Sequence, residues 1–290
     1  MLDLIDIARL EERRQAISVS ELAREFEMVA GGRMCYDAPG SWSNEACGLG
    51  LDGAVGDGEI DRLVAFYASR GCEAKVDVCP FADESLIAGL AARGFVVKEF
   101  ENVLAREVGT DDARLGAEAA GPGFVVERVD TRDEAMLDAF LRAAMSGFIP
   151  PREDGSPGEI PQHMYDISKR CALHPRTTSF VALVDGRVVG GGAMEVAEPM
   201  TLPPTEQRRE ALTMRVSCLF GTSVLPEFRR RGIQRALIAA RCAHAASFGP
   251  GVVCIHSKPG IATERNAMRL GFACAYSKAV MVRGVEDAAG

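Results

Sequence analysis

Hydrophobic and polar positions follow two different periods along this chain, and together they predict a mixture of helices and strands. In the second half, strand, helix, hairpin, strand, helix and strand are predicted in that order over residues 124–130, 132–148, 177–196, 214–226, 233–248 and 252–256. The hairpin should turn at Asp185 and Gly186. The last three elements form a strand–tight loop–helix–strand sequence, which predicts a right-handed parallel β-α-β unit.

The strand at 214–226 carries a further prediction about its faces. Strict alternation would place Val216, Cys218, Phe220, Thr222 and Val224 on one face of the sheet. Gly221 lies inside this alternation, where a glycine indicates either a bulge with close ligand approach or simply a weak strand position. The sequence leaves both readings open.

Length and charge narrow the class of protein. The 290 residues suffice for one large or two ordinary domains, each with its own core. Hydrophobic residues make up 47% and charged residues 26% of the chain, which is typical of a globular protein. The net charge of −8 argues against a general nucleic-acid binder, because such proteins are usually basic.

The cysteines and the first residues indicate a compartment. The nine cysteines are spread singly without a CxxC pair, which argues against a disulfide framework and a metal site and predicts reduced, buried thiols. The chain begins without the basic start and apolar run of a signal peptide. No stretch approaches the roughly 18 uninterrupted apolar residues of a membrane span. We therefore expect a cytoplasmic protein with no metal ion and no membrane partner.

A weak internal repeat relates the two halves. Residues 90–106 and 267–283 align without a gap at an offset of 177, with a Gly-Phe pair at the same place in each. Each half is predicted to end as strand, helix, Gly-Phe and strand, with Gly94 and Gly271 terminating the helices. The small, acidic, glycine-rich segment 109–123 predicts a linker, which would separate domains at 1–108 and 124–290.

Three consecutive arginines, Arg229–Arg231, precede Gly232 and the predicted helix at 233–248. Cations at a helix start are disfavoured by roughly 0.3–1 kcal/mol each, because the first turn carries partial positive charge. The unpaired N–H groups of that turn bind anions, phosphates above all, so arginines and helix would face one anionic ligand. The alternative is an exposed basic turn whose side chains reach water or nearby carboxylates.

This stretch resembles the cofactor motif of the N-acetyltransferases of the GNAT superfamily, a strand followed by Arg/Gln-x-x-Gly-x-Gly/Ala. RRRGIQ at 229–234 occupies that frame, after the strand end VLP at 224–226. ATERNAMRLGFACAYSKAVMVR at 262–283 resembles the closing helix, Gly-Phe and last strand of the superfamily. The resemblance covers about 124–285 and, through the repeat, implies an α/β (α+β mixed sheet) fold. It implies two tandem GNAT-like domains, each a central mixed sheet flanked by helices, the first of them degenerate.

The resemblance implies acetyl-CoA or another acyl-CoA as cosubstrate. Its pyrophosphate would lie on the N–H groups of the arginine turn, and its pantetheine arm would run along the preceding strand end. A backbone N–H near the expected bulge would polarise the thioester carbonyl, so that an amine attacks directly without a covalent enzyme intermediate. The residues implied in cofactor binding are Thr222, Ser223, Val224, Arg229, Arg230, Arg231, Gly232, Ile233, Gln234 and Asn266. For the last of these, orienting the closing helix is an equal alternative.

Three positions depart from the superfamily pattern. Gln234 stands in place of the last glycine or alanine, so one backbone contact would be looser or replaced by the side-chain amide. Cys218 stands where some members place a general-base glutamate, and Ala267 where many carry a general-acid tyrosine. No catalytic acid or base can therefore be transferred from the family.

Two other side chains remain as catalytic candidates. Tyr276 could protonate a leaving thiolate, or could simply pack on the final strand. Glu195 could act as a base through a water molecule, or could be a solvated carboxylate. His256 and Cys218 are interpreted as a structural hydrogen-bonding group and a buried core thiol.

In the first half, acidic residues occupy the positions equivalent to the arginines. Asp52 aligns with Arg229, and Asp57 and Glu59 follow closely, so like charges would repel phosphate. GLGLDG at 48–53 matches a dinucleotide-binding fingerprint, but the stretch before it is predicted as loop rather than strand. We expect this half to have lost cofactor binding.

The sequence thus predicts an acetyl-CoA-dependent N-acetyltransferase acting on an amine of a small molecule or a peptide. The alternative is a catalytically silent CoA-binding regulatory module, because the usual acid and base positions are empty. A nucleic-acid partner, marked by strong salt dependence, is disfavoured by the acidic balance. The loop at 149–165 is a candidate cover for the acceptor site, and a homodimer stays open.

Overall fold

A computed structural model describes residues 2–119, 121–150, 152–153, 158–205 and 208–284. The chain divides into two compact units, Met1–Val103 with Cys274–Gly290, and Leu104–Ala273. Within the described residues, no helix combines the length and apolar character that crossing a membrane requires.

The first unit begins with α1 (Leu4–Leu22), β1 (Glu25–Val29), β2 (Gly32–Tyr36), β3 (Ala46–Cys47), α2 (Asp57–Ala68), β4 (Ala74–Val78) and α3 (Glu84–Ala92). Strand β5 (Val96–Val108) starts in this unit and ends in the second. The short strand β3 occupies the end of the stretch before GLGLDG, where the sequence predicted only loop.

The second unit contains β6 (Val125–Arg128), α4 (Glu134–Met145), α5 (Gln162–Ala172), β7 (Thr177–Val184), β8 (Arg187–Val196), β9 (Met200–Leu202), β10 (Leu212–Val224), α6 (Ile233–Ala246), β11 (Gly251–Ser257) and α7 (Ala262–Met268). The chain then returns to the first unit with β12 (Ala273–Arg283). The predicted strands, helices and hairpin of this half are confirmed, whereas α5 and β9 were not predicted from the sequence.

Both units are built on mixed sheets, which confirms the predicted fold class. The strand order is β1-β2-β3-β4-β12 in the first unit and β11-β10-β8-β7-β6 in the second. Strands β10 and β11 pair in parallel, as the predicted β-α-β unit requires, and the neighbours of β8 are antiparallel to it. The hairpin turns where predicted, with Asp185 and Gly186 both at positive φ.

The two Gly-Phe sites end their helices in the same way. The N–H of Phe95 donates to Leu90 and that of Phe272 to Ala267, five residues back in each case. Gly94 and Gly271 lie at φ of 80° and 84°, in the left-handed region that lets such a helix end form. The order of strand, helix, Gly-Phe and strand is thus confirmed in both halves.

The boundaries of the units nevertheless differ from the predicted 1–108 and 124–290. The end of β5, from Leu104 onward, belongs to the second unit, and β12 from Cys274 onward belongs to the first. Strand β12 pairs antiparallel with β4, from Ala279 opposite Val78 to Arg283 opposite Ala74. The second unit therefore includes the end of the strand that follows Gly94-Phe95, and the first unit includes nearly all of the strand that follows Gly271-Phe272.

The segment predicted as a linker takes a regular conformation over most of its length. Thr110–Ala119 forms a 3-10 helix that packs on α6. Leu115 packs against the buried core of the second unit, and Asp112 forms an ion pair with Arg106. Leu115 and Asp112 thus attach the segment to the second unit, which its overall composition did not predict.

The cysteines are free thiols, as the sequence predicted. Their burial is only in part as expected, since Cys274 is exposed and Cys72 and Cys171 are half-buried. Burial raises the pKa of the Cys242 thiol to about 12, so this side chain is an inert part of the core.

Candidate functional site

The candidate site is built around the end of β10, where this strand separates from its neighbour. Registered pairing of β10 with β11 runs from Arg215 opposite Gly251 to Leu219 opposite Ile255. Strand β10 continues for five more residues, to Val224, without a registered partner on β11. The backbone edge of this segment is therefore available to an extended ligand.

A β-bulge interrupts the pairing of the same segment with β8. The register shifts between Phe220 and Ser223, and Gly221 between them lies at φ 60°. The bulge reading of Gly221 is thus confirmed. Because the bulge inserts an extra residue, it reverses the alternation of side chains that follow it.

The reversal contradicts the prediction that alternate residues of β10 share one face. Leu219 and Val224, of opposite parity, pack in the same core cluster with Ile233 of α6. Phe220 packs instead against the separate cluster that contains Val129 and Phe140. The prediction was wrong because a strict period of two does not survive a bulge.

A fully buried arginine lies against the bulge. Arg241 of α6 donates from Nη1 to the carbonyls of Ala193 (2.8 Å) and Phe220 (3.2 Å) and from Nη2 to Thr222 Oγ1 (2.7 Å). Its Nε donates to Leu237 O one turn earlier in α6 at 2.8 Å. Burial lowers the pKa of the guanidinium to about 10, so it stays protonated at neutral pH.

The GGG run in β8 makes room for this arrangement. A Cβ on Gly192 would lie 2.9 Å from the Arg241 guanidinium, and one on Gly190 would lie 2.9 Å from Ser223 O. A Cβ on Gly191 would meet the Phe140 ring at 2.9 Å. All three separations are shorter than van der Waals contact, so β8 can pass the bulge, Arg241 and α4 at these distances only without side chains at 190–192.

Helix α6 starts immediately after the bulged strand, across a tight loop. Pro226–Phe228 forms a 3-10 turn, Arg230 takes a left-handed conformation at φ 66°, and Gly232 caps the helix at φ 84°. The first backbone bond of α6 runs from Ala236 N to Gly232 O. Among the described residues, no backbone acceptor meets the N–H groups from Arg230 to Gln234. These groups form the concave donor set that an anion requires.

The three predicted arginines have different surroundings, although all are exposed. Arg229 donates from Nε to Val224 O at 3.0 Å, which ties the loop to the strand end. The Arg231 guanidinium lies 5.2 Å from the centroid of the Phe228 ring, a cation–π distance. A helix start with three exposed cations and no acid in its first turn is strongly positive.

The remaining predicted cofactor residues divide between backbone and side-chain roles. Ile233 is buried in the core, so only its backbone N–H faces the loop. Ser223 Oγ lies 3.1 Å from Ser146 Oγ at the end of α4. Gln234, the departure from the family motif, links α6 to α7: its amide donates to Thr263 Oγ1 (2.9 Å) and accepts from Asn266 Nδ2 (2.7 Å). Asn266 therefore orients the closing helix, one of its two predicted roles.

A cleft of about 1460 Å³ opens beside the strand end. It is lined by Ser146–Phe148 after α4, by Tyr165 of α5, and by Leu225 and Arg229 of the loop. Tyr165 donates its hydroxyl proton to Asp138 at 2.8 Å, and Arg142 pairs with the same carboxylate. Of the loop predicted to cover an acceptor, residues 151 and 154–157 lie outside the described residues, while 149, 150 and 158–160 line the cleft.

The two catalytic candidates are both engaged in hydrogen bonds. Glu195 is buried, and its Oε1 accepts from Arg176 Nε (3.0 Å) and Nη2 (2.8 Å). The interpretation of Glu195 as a solvated carboxylate is therefore wrong. Arg176, directly before β7, holds the buried carboxylate in an ion pair. Tyr276 belongs to the first unit, where its hydroxyl donates to buried Glu12 at 2.7 Å. It lies within β12, the final strand, with its side chain buried.

Sequence reasoning missed Arg241 and the purpose of the glycine run at 190–192. An arginine in an alanine-rich helix gives no signal of burial, since arginines are normally exposed. The only available hint was its position, one helical face with Leu237 and Ile238, in a helix that has apolar residues on most sides.

Comparisons with known proteins agree on the fold. The profile of the Acetyltransferase (GNAT) family matches residues 138–272. A GCN5-related N-acetyltransferase from Kribbella flavida has a TM-score of 0.62 at 14% identity, with 95% of each chain covered. A protein described as a GNAT-family acetyltransferase from Novosphingobium aromaticivorans DSM 12444 has a TM-score of 0.50 at 17% identity, covering 95% of this chain and 98% of its own. No curated protein matches the chain in sequence.

Proposed function

We propose that the protein is an acetyl-CoA-dependent N-acetyltransferase, because the profile of the Acetyltransferase (GNAT) family matches residues 138–272. The observation that carries the proposal is the separation of β10 from β11 beyond Leu219, directly before a helix start with unpaired N–H groups. An extended arm ending in a pyrophosphate matches both features at once.

In the proposed complex, the pantetheine arm lies along the backbone edge of Thr222–Val224. The side chains of these residues are already occupied by Arg241, Ser146 and the core, so the backbone groups bind the arm. The pyrophosphate lies on the N–H groups from Arg230 to Gln234. Arg231 neutralises its charge, and Arg229 keeps the loop on the strand end.

The proposed chemistry is a direct transfer. The amine nitrogen attacks the thioester carbonyl, the oxyanion is stabilised by the bulge, and the C–S bond breaks to release the thiolate of CoA. The amine proton leaves to water, and the thiolate is protonated. The cleft beside the strand end receives the acceptor, which is a small molecule or a peptide carrying an amine.

Calorimetric titration of acetyl-CoA tests the cofactor site. We expect micromolar binding to the wild type and at least tenfold weaker binding to Arg229→Ala/Arg231→Ala, a loss of about 1.4 kcal/mol. Arg132→Ala is the matched control, since this exposed arginine pairs only with Asp130 among the described residues. A wild type that does not bind acetyl-CoA contradicts the proposal.

A catalytically silent CoA-binding module is the second candidate. Two observations favour it: Glu195 is held by Arg176, and Cys218 and Ala267 occupy the positions of the family's base and acid. Release of free CoA thiol with a panel of amines separates the two functions. Binding without thiol release for any amine supports the module, and amine-dependent release supports the enzyme.

We also propose that the first half descends from the same fold and has lost its cofactor site. The matching helix ends at Gly94 and Gly271, and the equal order of elements around them, support this. The acidic start of α2 supports the loss of the site. One acetyl-CoA per chain in the titration is the expected stoichiometry.

A further inference from the structure

A buried cation, the guanidinium of Arg241, lies against the bulge in β10. Arg241 is fully buried, and no carboxylate of the described residues forms an ion pair with it. Burying a charge without a counter-ion is costly, and an apolar side chain of similar volume would fill the space. The chain nevertheless has an arginine here, opposite the three glycines of β8. A side chain at Gly192 would collide with the guanidinium.

The direction of the Arg241 hydrogen bonds fixes the peptide unit at the bulge. Its Nη1 binds the carbonyls of Phe220 and Ala193, which are register partners on β10 and β8. No peptide bond between described residues is cis, so the N–H of Gly221 points opposite to the Phe220 carbonyl in the same plane. Arg241 therefore turns the Gly221 N–H away from itself.

The same contact makes that N–H a better donor. A cation on the carbonyl oxygen of a peptide unit draws electron density from its nitrogen, so hydrogen bonds on the two sides strengthen each other. A hydrogen bond from Nη2 to Thr222 Oγ1 is the second contact that fixes the orientation of the planar guanidinium. Arg241 thus acts on the face of the bulge that it does not touch.

We propose that Arg241 is the positioning residue of the oxyanion site: through the Phe220–Gly221 peptide it aims and polarises the Gly221 N–H at the thioester carbonyl of the bound acyl-CoA. This inference rests on the proposed function. It assigns the missing electrostatic element of the site to a residue of α6 that never contacts the substrate. A retained cation without a catalytic acid or base is consistent with a reaction driven mainly by carbonyl polarisation.

The test uses the infrared band of acetyl-CoA labelled with carbon-13 at the acetyl carbonyl, bound to the intact protein. In the wild type we expect the band to shift to lower frequency than in solution, and in Arg241→Met most of that shift should be lost. Arg241→Lys keeps the cation with fewer donors and should retain part of it. Arg132→Met, the same change at an exposed site, should leave it intact.

Calorimetry on the same variants separates positioning from simple packing. Arg241→Met should bind CoA, which has no thioester carbonyl, as tightly as the wild type, while any advantage of acetyl-CoA over CoA disappears. If the shift persists in Arg241→Met, the proposal is wrong and Arg241 only packs. If Arg241→Met does not fold, Thr222→Val decides, because losing the second contact must also reduce the shift.

Failure of the proposed function gives a different result. A wild type that binds neither CoA nor acetyl-CoA contradicts the cofactor site itself. A wild type that binds acetyl-CoA with an unshifted carbonyl band contradicts only the polarising role of the bulge and of Arg241.

Discussion

Helices α2 and α6 occupy equivalent places in the proposed internal repeat, yet their first turns have opposite chemistry. At the third helical position α2 has Glu59, whose carboxylate accepts from Gly56 N at 3.2 Å and from Ala30 N at 2.7 Å. At the same position α6 has Arg235, and the N–H groups before it have no backbone acceptor among the described residues. In α2, a carboxylate of the helix itself accepts from backbone N–H groups near the helix start. In α6, the N–H groups at the helix start can bind an anion.

A helix start can bind an anion only if its backbone N–H groups are left without an acceptor from the chain itself. Both helices offer the same unpaired N–H groups, because every helix does. A glutamate at the third position accepts from the N–H of the residue before the helix, as Glu59 does from Gly56. An arginine there cannot, since it has no acceptor.

Moving the acid into α6 should have the largest effect. In Arg235→Glu, we expect the carboxylate to accept from the Gly232 N–H and to repel a pyrophosphate. Acetyl-CoA binding should weaken by about 100-fold, or about 2.8 kcal/mol, which is within reach of one like-charge contact at the edge of a protein. Calorimetric titration measures this loss.

Arg235→Gln is the matched control for that exchange, because it can cap the helix but adds no negative charge. It should weaken binding much less than Arg235→Glu. Equal affinity of Arg235→Glu and the wild type would mean that the start of α6 is not where the phosphates bind.

Removing the acid from α2 should have a smaller effect, and on stability rather than binding. Glu59→Ala leaves the N–H groups of Gly56 and Ala30 without this acceptor and should lower the free energy of unfolding by about 1–2 kcal/mol. Urea unfolding measures the change, and acetyl-CoA affinity should stay as in the wild type. Glu59→Gln keeps an acceptor and should lose less. An unchanged unfolding midpoint in Glu59→Ala would show that the cap contributes nothing.

The smallest effect concerns the far ends of the two helices, where His244 of α6 aligns with Tyr67 of α2. Burial lowers the pKa of His244, which lies 3.2 Å from Thr178 Oγ1 and against the ring of Phe180. Burial raises the pKa of Tyr67 well above its usual value, so it does not titrate near neutral pH. Only the second unit should therefore gain a pH dependence from this position.

The sign of this dependence follows from proton uptake. Below the ordinary histidine pKa of about 6.5, the unfolded chain binds a proton that folded His244 resists, so stability present at neutral pH is lost as the pH falls. In His244→Gln, urea unfolding between about pH 7 and 5 should depend on pH less steeply, by less than one proton. An identical slope in both proteins would contradict a lowered pKa.

Much of the fold could be predicted from short stretches of adjacent residues. The hairpin turn at Asp185-Gly186, the helix ends at Gly94 and Gly271, and the arginine turn before α6 each depend on a few adjacent residues. The candidate cofactor loop was predictable for the same reason, since its donors are backbone groups placed by one glycine and one helix start.

The rest of the site depends on residues far apart in sequence. Arg241 contacts Phe220 and Thr222 about twenty positions earlier, and Ala193 lies 48 positions before it. The bulge reversed the alternation of side chains between the two faces of β10. The ion pair with Arg176 holds Glu195 away from solvent. None of these pairings leaves a periodic trace in the sequence.

Most elements of the second half, the mixed α/β class and the helix start at Gly232 could thus be predicted from the sequence, because they follow from backbone propensities and nearby side chains. The three-dimensional structure was needed to show that β5 is divided between the units, that β12 pairs with β4, that Arg176 holds Glu195, and that a buried cation lies against the bulge. Strand pairing and burial depend on contacts between segments that are distant in sequence. A buried cation is stable only where carbonyl groups from several elements accept its hydrogen bonds and glycines leave room for it.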